Sequence, residues 1–186
     1  MSPQQRTHQE INGVDTLTLK KTIDEIQKNP ELAKCEFRVH NEWINGDENK
    51  SEAYKYYAAC SEQKHKKTFE FKAGEPELLA GHDKGANPVE YLLSGLSACM
   101  TTTIAYYAAL NGYKIKNMNS DFKGELDLQG IFDLAPDVRP GYQKIYATFH
   151  IETDAPEEKL KEYYKFSPVY DVVSKSVPVE VHIETY

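Results

Sequence analysis

The sequence predicts an α+β fold built from antiparallel sheet and one long buried helix. Three observations carry this. Strand-like and helix-like segments do not alternate regularly, which disfavours a doubly wound fold. Several segments alternate apolar and polar residues with the period of a half-buried strand. One stretch, "NPVEYLLSGLSACMTTTIAYYAALNGYKI" (87–115), is apolar on every side and far longer than a strand.

Taken in order, Asp15 is placed to cap a first helix with Leu19, Ile23 and Ile26 on one face and Pro30 at its end. Three strand candidates follow: "CEFRVHNEW", "AYKYYAAC" and "TFEF". The lysines of "KHKK" (64, 66 and 67) lie between the last two and are expected to coat a solvated turn. The loop "AGEPELLAGHDKGA" leads to the long helix. There Asn87 suits the N-cap, Pro88 the first helical position, Glu90 a capping box, and Gly112 the C-terminal stop.

Beyond that helix, "SDFKGELDLQ" places Phe122, Leu126 and Leu128 on one strand face, and "KIYATFHIET" does the same for Ile145, Ala147, Phe149 and Ile151. Between them "GIFDLAPDVRPGY" reads as loop. Asp154 is expected to start another helix, broken by Pro168, with Ser167 capping a fresh helical turn. Val177, Val179, Val181 and Ile183 close the chain as a strand that Pro178 restricts to an edge or to its first residue.

The composition sets limits on function. Of 186 residues, 40% are apolar and 27% charged, ordinary for a globular chain with one good core. A net charge of −7, with arginine only at 6, 38 and 139, speaks against nucleic acid or an anionic membrane as partner. The opening "MSPQQRTHQE" is polar throughout, so no secretory signal is expected. Glu90 and many Ser, Thr and Gly residues make 87–111 a poor membrane span. Three cysteines (35, 60 and 99), with no CxxC, point to a reducing cytoplasm and not to a disulfide scaffold. No spacing suggests a metal ligand set and no Gly-rich phosphate loop occurs, so neither metal nor cofactor is expected.

Cys99 is the residue on which function turns. A stripe of the long helix runs through Leu92, Leu96, Cys99, Thr103, Tyr106 and Leu110, and small residues (Ser94, Gly95, Ser97, Ala98) precede the thiol. Cysteine is among the most buried residue types, so the residues by themselves favour a core role for Cys99 over a thiol placed to react. It lies too far into the helix to feel the N-terminal dipole, so reactivity would need activation from elsewhere.

"GANPVEYLLSGLSACMTTTIAYYAALNGYKI" resembles the central motif of the OsmC/Ohr superfamily, the osmotically inducible protein C and organic hydroperoxide resistance proteins. The likeness extends to "GHDKGANP", "VRPGYQKIYATFHIETDAPEEKL" and "SPVYDVVSKSVPVEVHIE", covering roughly residues 35–184. It implies an OsmC-like domain at 35–186, preceded by an N-terminal helical extension at 1–34. It also implies an intertwined homodimer with antiparallel sheet wrapped around the long helices. In that family the cysteine at the position of Cys99 attacks an organic hydroperoxide and becomes a sulfenic acid. A second cysteine then resolves it; here that position is Ser167, and neither Cys35 nor Cys60 occupies it.

The family's glutamate directly after the NP pair is shifted here to Glu90, nine residues from Cys99 and on the opposite helix face. Glu90 therefore reads as a helix cap, or as a thiol partner reached through a helix distortion or across a dimer. Arg38, the only arginine of the early strands, is the candidate cation for the thiol or simply an exposed strand residue. His82 is a further candidate, brought to the site if the loop before the helix folds over it. Three readings follow: a peroxidase acting through Cys99 and recycled by an external thiol, a homodimeric binding protein for a small apolar ligand, or a fold kept for its dimer structure with no ligand.

Overall fold

The computed structural model describes residues 10–186. The polar opening read as lacking a signal therefore lies, up to residue 9, outside the described residues. The fold is α+β, and the chain forms two compact units: Thr18–Leu92, and the segment up to Leu17 together with Leu93–Tyr186. Among the described residues no helix is both long and apolar enough to cross a membrane.

α1 (Thr16–Lys28), which lies in the first unit from Thr18 on, carries Leu19, Ile23 and Ile26 half-buried among exposed residues there, as its spacing predicts. A 3-10 turn, Pro30–Ala33, follows, with Asn29 accepting a hydrogen bond from the Glu31 amide. The sheet then contains β3 (Glu36–Phe37), β4 (His40–Asn45), β5 (Glu48–Ala58) and β6 (Ser61–Ala73). All pairing is antiparallel and centred on β5, with β3 and β4 along one edge and β6 along the other.

Two expectations are corrected here. "CEFRVHNEW" is not one strand, because the chain breaks at Arg38–Val39 and both pieces pair with β5. "KHKK" is not a turn but part of β6. The true turn is Ala59–Cys60, where both residues adopt positive φ (49° and 58°), the mirror-image geometry that a twisted hairpin requires. The reason β6 escapes a period-2 reading is a bulge: Ala53 pairs with Phe69 and Lys55 with Lys64, so four residues of β6 face one of β5. Its lysines suit an edge strand, where charge discourages further pairing.

The second unit begins with a short hairpin, β1 (Glu10–Ile11) and β2 (Val14–Asp15), turned by Asn12–Gly13 with both residues at positive φ. An Asn-Gly pair is a strong turn signal that the helix-first reading of this stretch passed over. Asn12 also ties the hairpin down: its Oδ1 accepts from the Ile115 amide at 2.8 Å and its Nδ2 donates to the Tyr113 carbonyl at 3.1 Å.

The long helix, α2, runs unbroken from Pro88 to Leu110, and the division between the units falls within it, at Leu92–Leu93. Its end is a Schellman motif, with the Tyr113 amide bonded to Ala108 O, the Gly112 amide to Ala109 O, and Gly112 at φ +83°. The buried stripe is Leu96, Met100, Ile104 and Ala108, a four-residue step. Of the stripe read from the sequence, Leu96 is fully buried and Cys99 partly buried. Leu92 and Tyr106 are more than two-fifths exposed in the chain taken by itself.

The second sheet has the order β7 (Ile115–Glu125), β8 (Lys144–Thr153), β9 (Val179–Thr185). Ile145, Ala147, Phe149 and Ile151 are completely buried, as the alternation of β8 demands. Leu126 and Leu128 do not continue β7. Asp127 instead caps a one-turn helix, α3 (Leu128–Ile131), which spans the end of that strand candidate and the start of the stretch read as loop. Asp154 does not cap α4 (Glu157–Tyr163); it accepts from the Lys114 amide at 2.7 Å, and the helix starts after Pro156.

Ser167 caps α5 (Pro168–Ser174) as expected. The chain passes through α4 and α5 between β8 and β9, so these two strands are parallel, correcting the wholly antiparallel expectation. β9 is an edge strand entered just after Pro178, whose carbonyl accepts from the Ile145 amide.

Candidate functional site

Cys99 lies on α2 between exposed Ala98 and buried Met100 and is itself partly buried. Its carbonyl accepts the Thr103 hydroxyl at 2.8 Å, so the helical backbone at the thiol is doubly bonded. A partly exposed thiol retains a path for small reactants, which a fully enclosed core cysteine lacks. Within the same unit, Ser167 is wholly buried, and its Oγ accepts from the Tyr170 amide at 3.2 Å. The serine in the place of a second cysteine is thus committed to a helix cap. Arg139, the arginine of this unit among the described residues, is held by the carbonyl and hydroxyl of Ser176 at 2.7 and 3.4 Å.

The other named residues belong to the Thr18–Leu92 unit. Glu90 completes the capping box: its Oε2 accepts from the Asn87 amide at 2.9 Å, while Asn87 Oδ1 accepts from the Val89 amide at 3.0 Å. Arg38 forks onto Glu62 with two 2.9 Å hydrogen bonds and also donates through Nε to Glu36. These bonds, to Glu62 first and Glu36 second, raise the guanidinium pKa further and hold the Glu62 carboxyl below its ordinary range. Glu90 and Arg38 therefore have local partners, one as a cap and the other as the centre of an exposed ion triad. Cys35 and Cys60 are both exposed, Cys35 just before β3 and Cys60 in the β5–β6 turn.

His82 is drawn into a group that sequence spacing does not reveal. The two-residue turn Gly46–Asp47 joins β4 to β5, with Gly46 at φ +54°. Asp47 Oδ2 accepts the amides of Glu75 (2.9 Å) and His82 (3.2 Å), and its Oδ1 lies 2.9 Å from His82 Nδ1. These bonds, the Glu75 amide foremost and the His82 ring next, hold the Asp47 carboxyl well below the usual carboxylate range. Glu75 in turn accepts from the Asn87 side chain, so hydrogen bonds connect this turn to the cap of α2.

The loop in between fits closely. A Cβ on Gly81 would overlap the Glu75 carbonyl, and one on Gly85 would lie 2.5 Å from Lys72 O. That is the physical content of the glycines in "GHDKGANP". Asp47, Glu48 and His82 place one ligand atom each within 4.8 Å of one another. The Gly-Asp turn is a legible signal for a hairpin, but its partner His82, 35 positions away, is not.

The sheet of the same unit carries a row of rings: Phe37 stacked on Tyr56 at 5.6 Å, Tyr56 tilted against His65 at 4.9 Å, and His65 edge-on to Phe69 at 5.1 Å. Near it an apolar hollow of about 300 Å³ is lined by Val39, Phe71, Ala73, Pro88 and Tyr91, with Asn49 and Ser51 as polar members.

The family model described as OsmC-like protein matches residues 81–182, over half of the chain. No curated protein matches the sequence. Among solved structures, the chain is similar to an OsmC-like protein from Mycoplasma pneumoniae. They share 16% identity over 81% of this chain and 95% of that one, with a TM-score of 0.59. It is also similar to an organic hydroperoxide resistance protein from Elizabethkingia anophelis (16% identity, 80% and 96% coverage, TM-score 0.56). An organic hydroperoxide resistance protein OsmC from Legionella pneumophila matches at 14% identity, 79% and 96% coverage and a TM-score of 0.51. Identities this low establish a shared fold, and the family match covers the helix that bears Cys99 and the cap that bears Ser167: the chain belongs to the OsmC-like protein family.

Proposed function

We propose that this protein is a thiol-dependent reductase of organic hydroperoxides, acting through Cys99 as its single peroxidatic residue. The observation that carries this reading is the partial burial of Cys99 on α2, within a fold shared with proteins named for organic hydroperoxide resistance. The Cys99 thiolate attacks the outer peroxide oxygen. An S–O bond forms, the O–O bond breaks, and the alkoxide takes a proton and leaves as an alcohol. With Ser167 buried as a cap, the sulfenic acid is reduced by an external thiol. That thiol forms a mixed disulfide with loss of water, and a second thiol equivalent then releases Cys99.

In this reading the working unit is a homodimer. Leu92 and Tyr106, beside the small residues Gly95 and Ala98, form the kind of exposed helix face that a second copy would cover. The reaction rests on Cys99 alone, and Glu90 and Arg38 enter only if the second copy brings them to the thiol.

A second reading, binding of a small apolar ligand without turnover, is favoured by the apolar hollow, whose volume is at the lower end for ligand sites. Intact and peptide mass spectrometry after a stoichiometric dose of cumene hydroperoxide separates the two, with hydrogen peroxide and Cys99→Ser as controls. Rapid oxidation confined to Cys99, faster with the organic peroxide, is the expected result. A folded protein whose Cys99 stays reduced would sink the peroxidase and leave the binder.

A further inference from the structure

We propose that Asp47, Glu48 and His82 form a binding site for one divalent d-block cation of the zinc or nickel class, fastening the loop before α2 to the β4–β5 turn. The three donor atoms converge within 4.8 Å. The separation of His82 Nδ1 and Asp47 Oδ1, 2.9 Å, is close to the roughly 3.0 Å edge between two ligands set at a right angle about 2.1 Å from a shared ion, the octahedral arrangement that is completed by water. An ion there takes the place of the Nδ1 proton, and the neutral ring becomes the Nε2–H tautomer, with its exposed side in water.

Asp47 is already oriented for this role. Its Oδ2 is fixed by the amides of Glu75 and His82, its side chain is only 9% exposed, and Oδ1 keeps a lone pair beyond the one facing the imidazole.

Glu48 supplies the third donor, and its present partner is informative. Lys84 Nζ lies 2.8 Å from Glu48 Oε1, on an exposed side chain. A divalent ion would displace this single, mobile charge and release it to solvent.

One imidazole with two carboxylates suits borderline ions better than magnesium or calcium, which take oxygen donors. The carriers are also held in place beforehand: Gly74 is packed between Asp47 Oδ2 and the Gly85 amide, and Gly81 lies under the Glu75 carbonyl. Residues 47 and 48 are too far from 82 in sequence for spacing to suggest the set; the loop brings them together.

The test uses a reporter that the chain provides. Trp43 is the sole tryptophan, and its Nε1 donates to the Gly46 carbonyl at 3.0 Å, one residue from Asp47. The full chain is titrated with Co²⁺ or Ni²⁺ while Trp43 fluorescence is followed, and with Zn²⁺ by calorimetry for stoichiometry. Saturable quenching at one ion per chain, competed by Zn²⁺, is expected. His82→Ala and Glu48→Gln weaken it by about tenfold or more, and Lys84→Met, which removes the competing cation, tightens it by about tenfold. Circular dichroism checks that each variant is folded. No saturable quenching, or quenching that survives His82→Ala, overturns the proposal. So does a Lys84→Met variant that binds as weakly as the ligand variants.

Discussion

The backbone amide of Asn87 donates to the carboxylate of Glu90 at 2.9 Å, which makes Glu90 the reciprocal half of the cap that starts the Cys99 helix. Asn87 does the other half, accepting from Val89 and donating to Glu75. Asn87→Ala should therefore lower stability by about 1–2 kcal/mol in urea unfolding. Glu90→Gln, which still accepts the amide, should change it little. A large loss of peroxide reactivity in Glu90→Gln without loss of stability would show that Glu90 has a role beyond capping.

Ser167 is the corresponding case at α5. Its side chain is completely buried and accepts the Tyr170 amide, so Ser167→Ala leaves a part-buried donor without its partner. A loss of about 1–2 kcal/mol is expected. Ser167→Cys should cost a similar amount, because sulfur is a weak acceptor, even though it restores the family's residue type. Thermal or urea unfolding of both variants checks this.

The Ala59–Cys60 turn places two residues with Cβ atoms in left-handed backbone, where glycine is at ease. Ala59→Gly and Cys60→Gly should each raise stability by about 0.5–1 kcal/mol, the relief of strain exceeding glycine's extra chain entropy. If either variant is destabilised, the hairpin turn is not as described.

Arg38 depresses the pKa of Glu62 chiefly through their side-chain hydrogen bonds. A carboxylate whose folded pKa lies below its unfolded value of about 4.3 stabilises the fold fully above that value. The contribution is lost as pH falls through the lower, folded pKa. Arg38→Gln should return Glu62 toward the ordinary value in a carboxyl NMR titration and narrow the gap in stability between neutral and acid pH. Because both groups are well exposed, salt should weaken the effect in the wild type.

The features legible in the sequence are those set by neighbours a few residues apart. The caps at Asn87 and Ser167, the Gly112 stop, the apolar face of α1 and the alternation of β8 all depend on hydrogen bonds or side-chain directions that repeat within one turn or one pleat. They hold wherever the segment is placed. The motif around Cys99 likewise survives as a pattern and led to the right family. Tertiary structure decided the rest, because it joins residues that the chain keeps apart. Pairing with β5 made a strand of "KHKK", and the passage through α4 and α5 made β9 parallel. Packing in the 93–186 unit selected Leu96, Met100, Ile104 and Ala108 as the buried stripe of a helix apolar on every side, where periodicity offers no preference. Closure of a glycine-fitted loop set His82 against Asp47, a contact between residues 35 positions apart that no local propensity encodes.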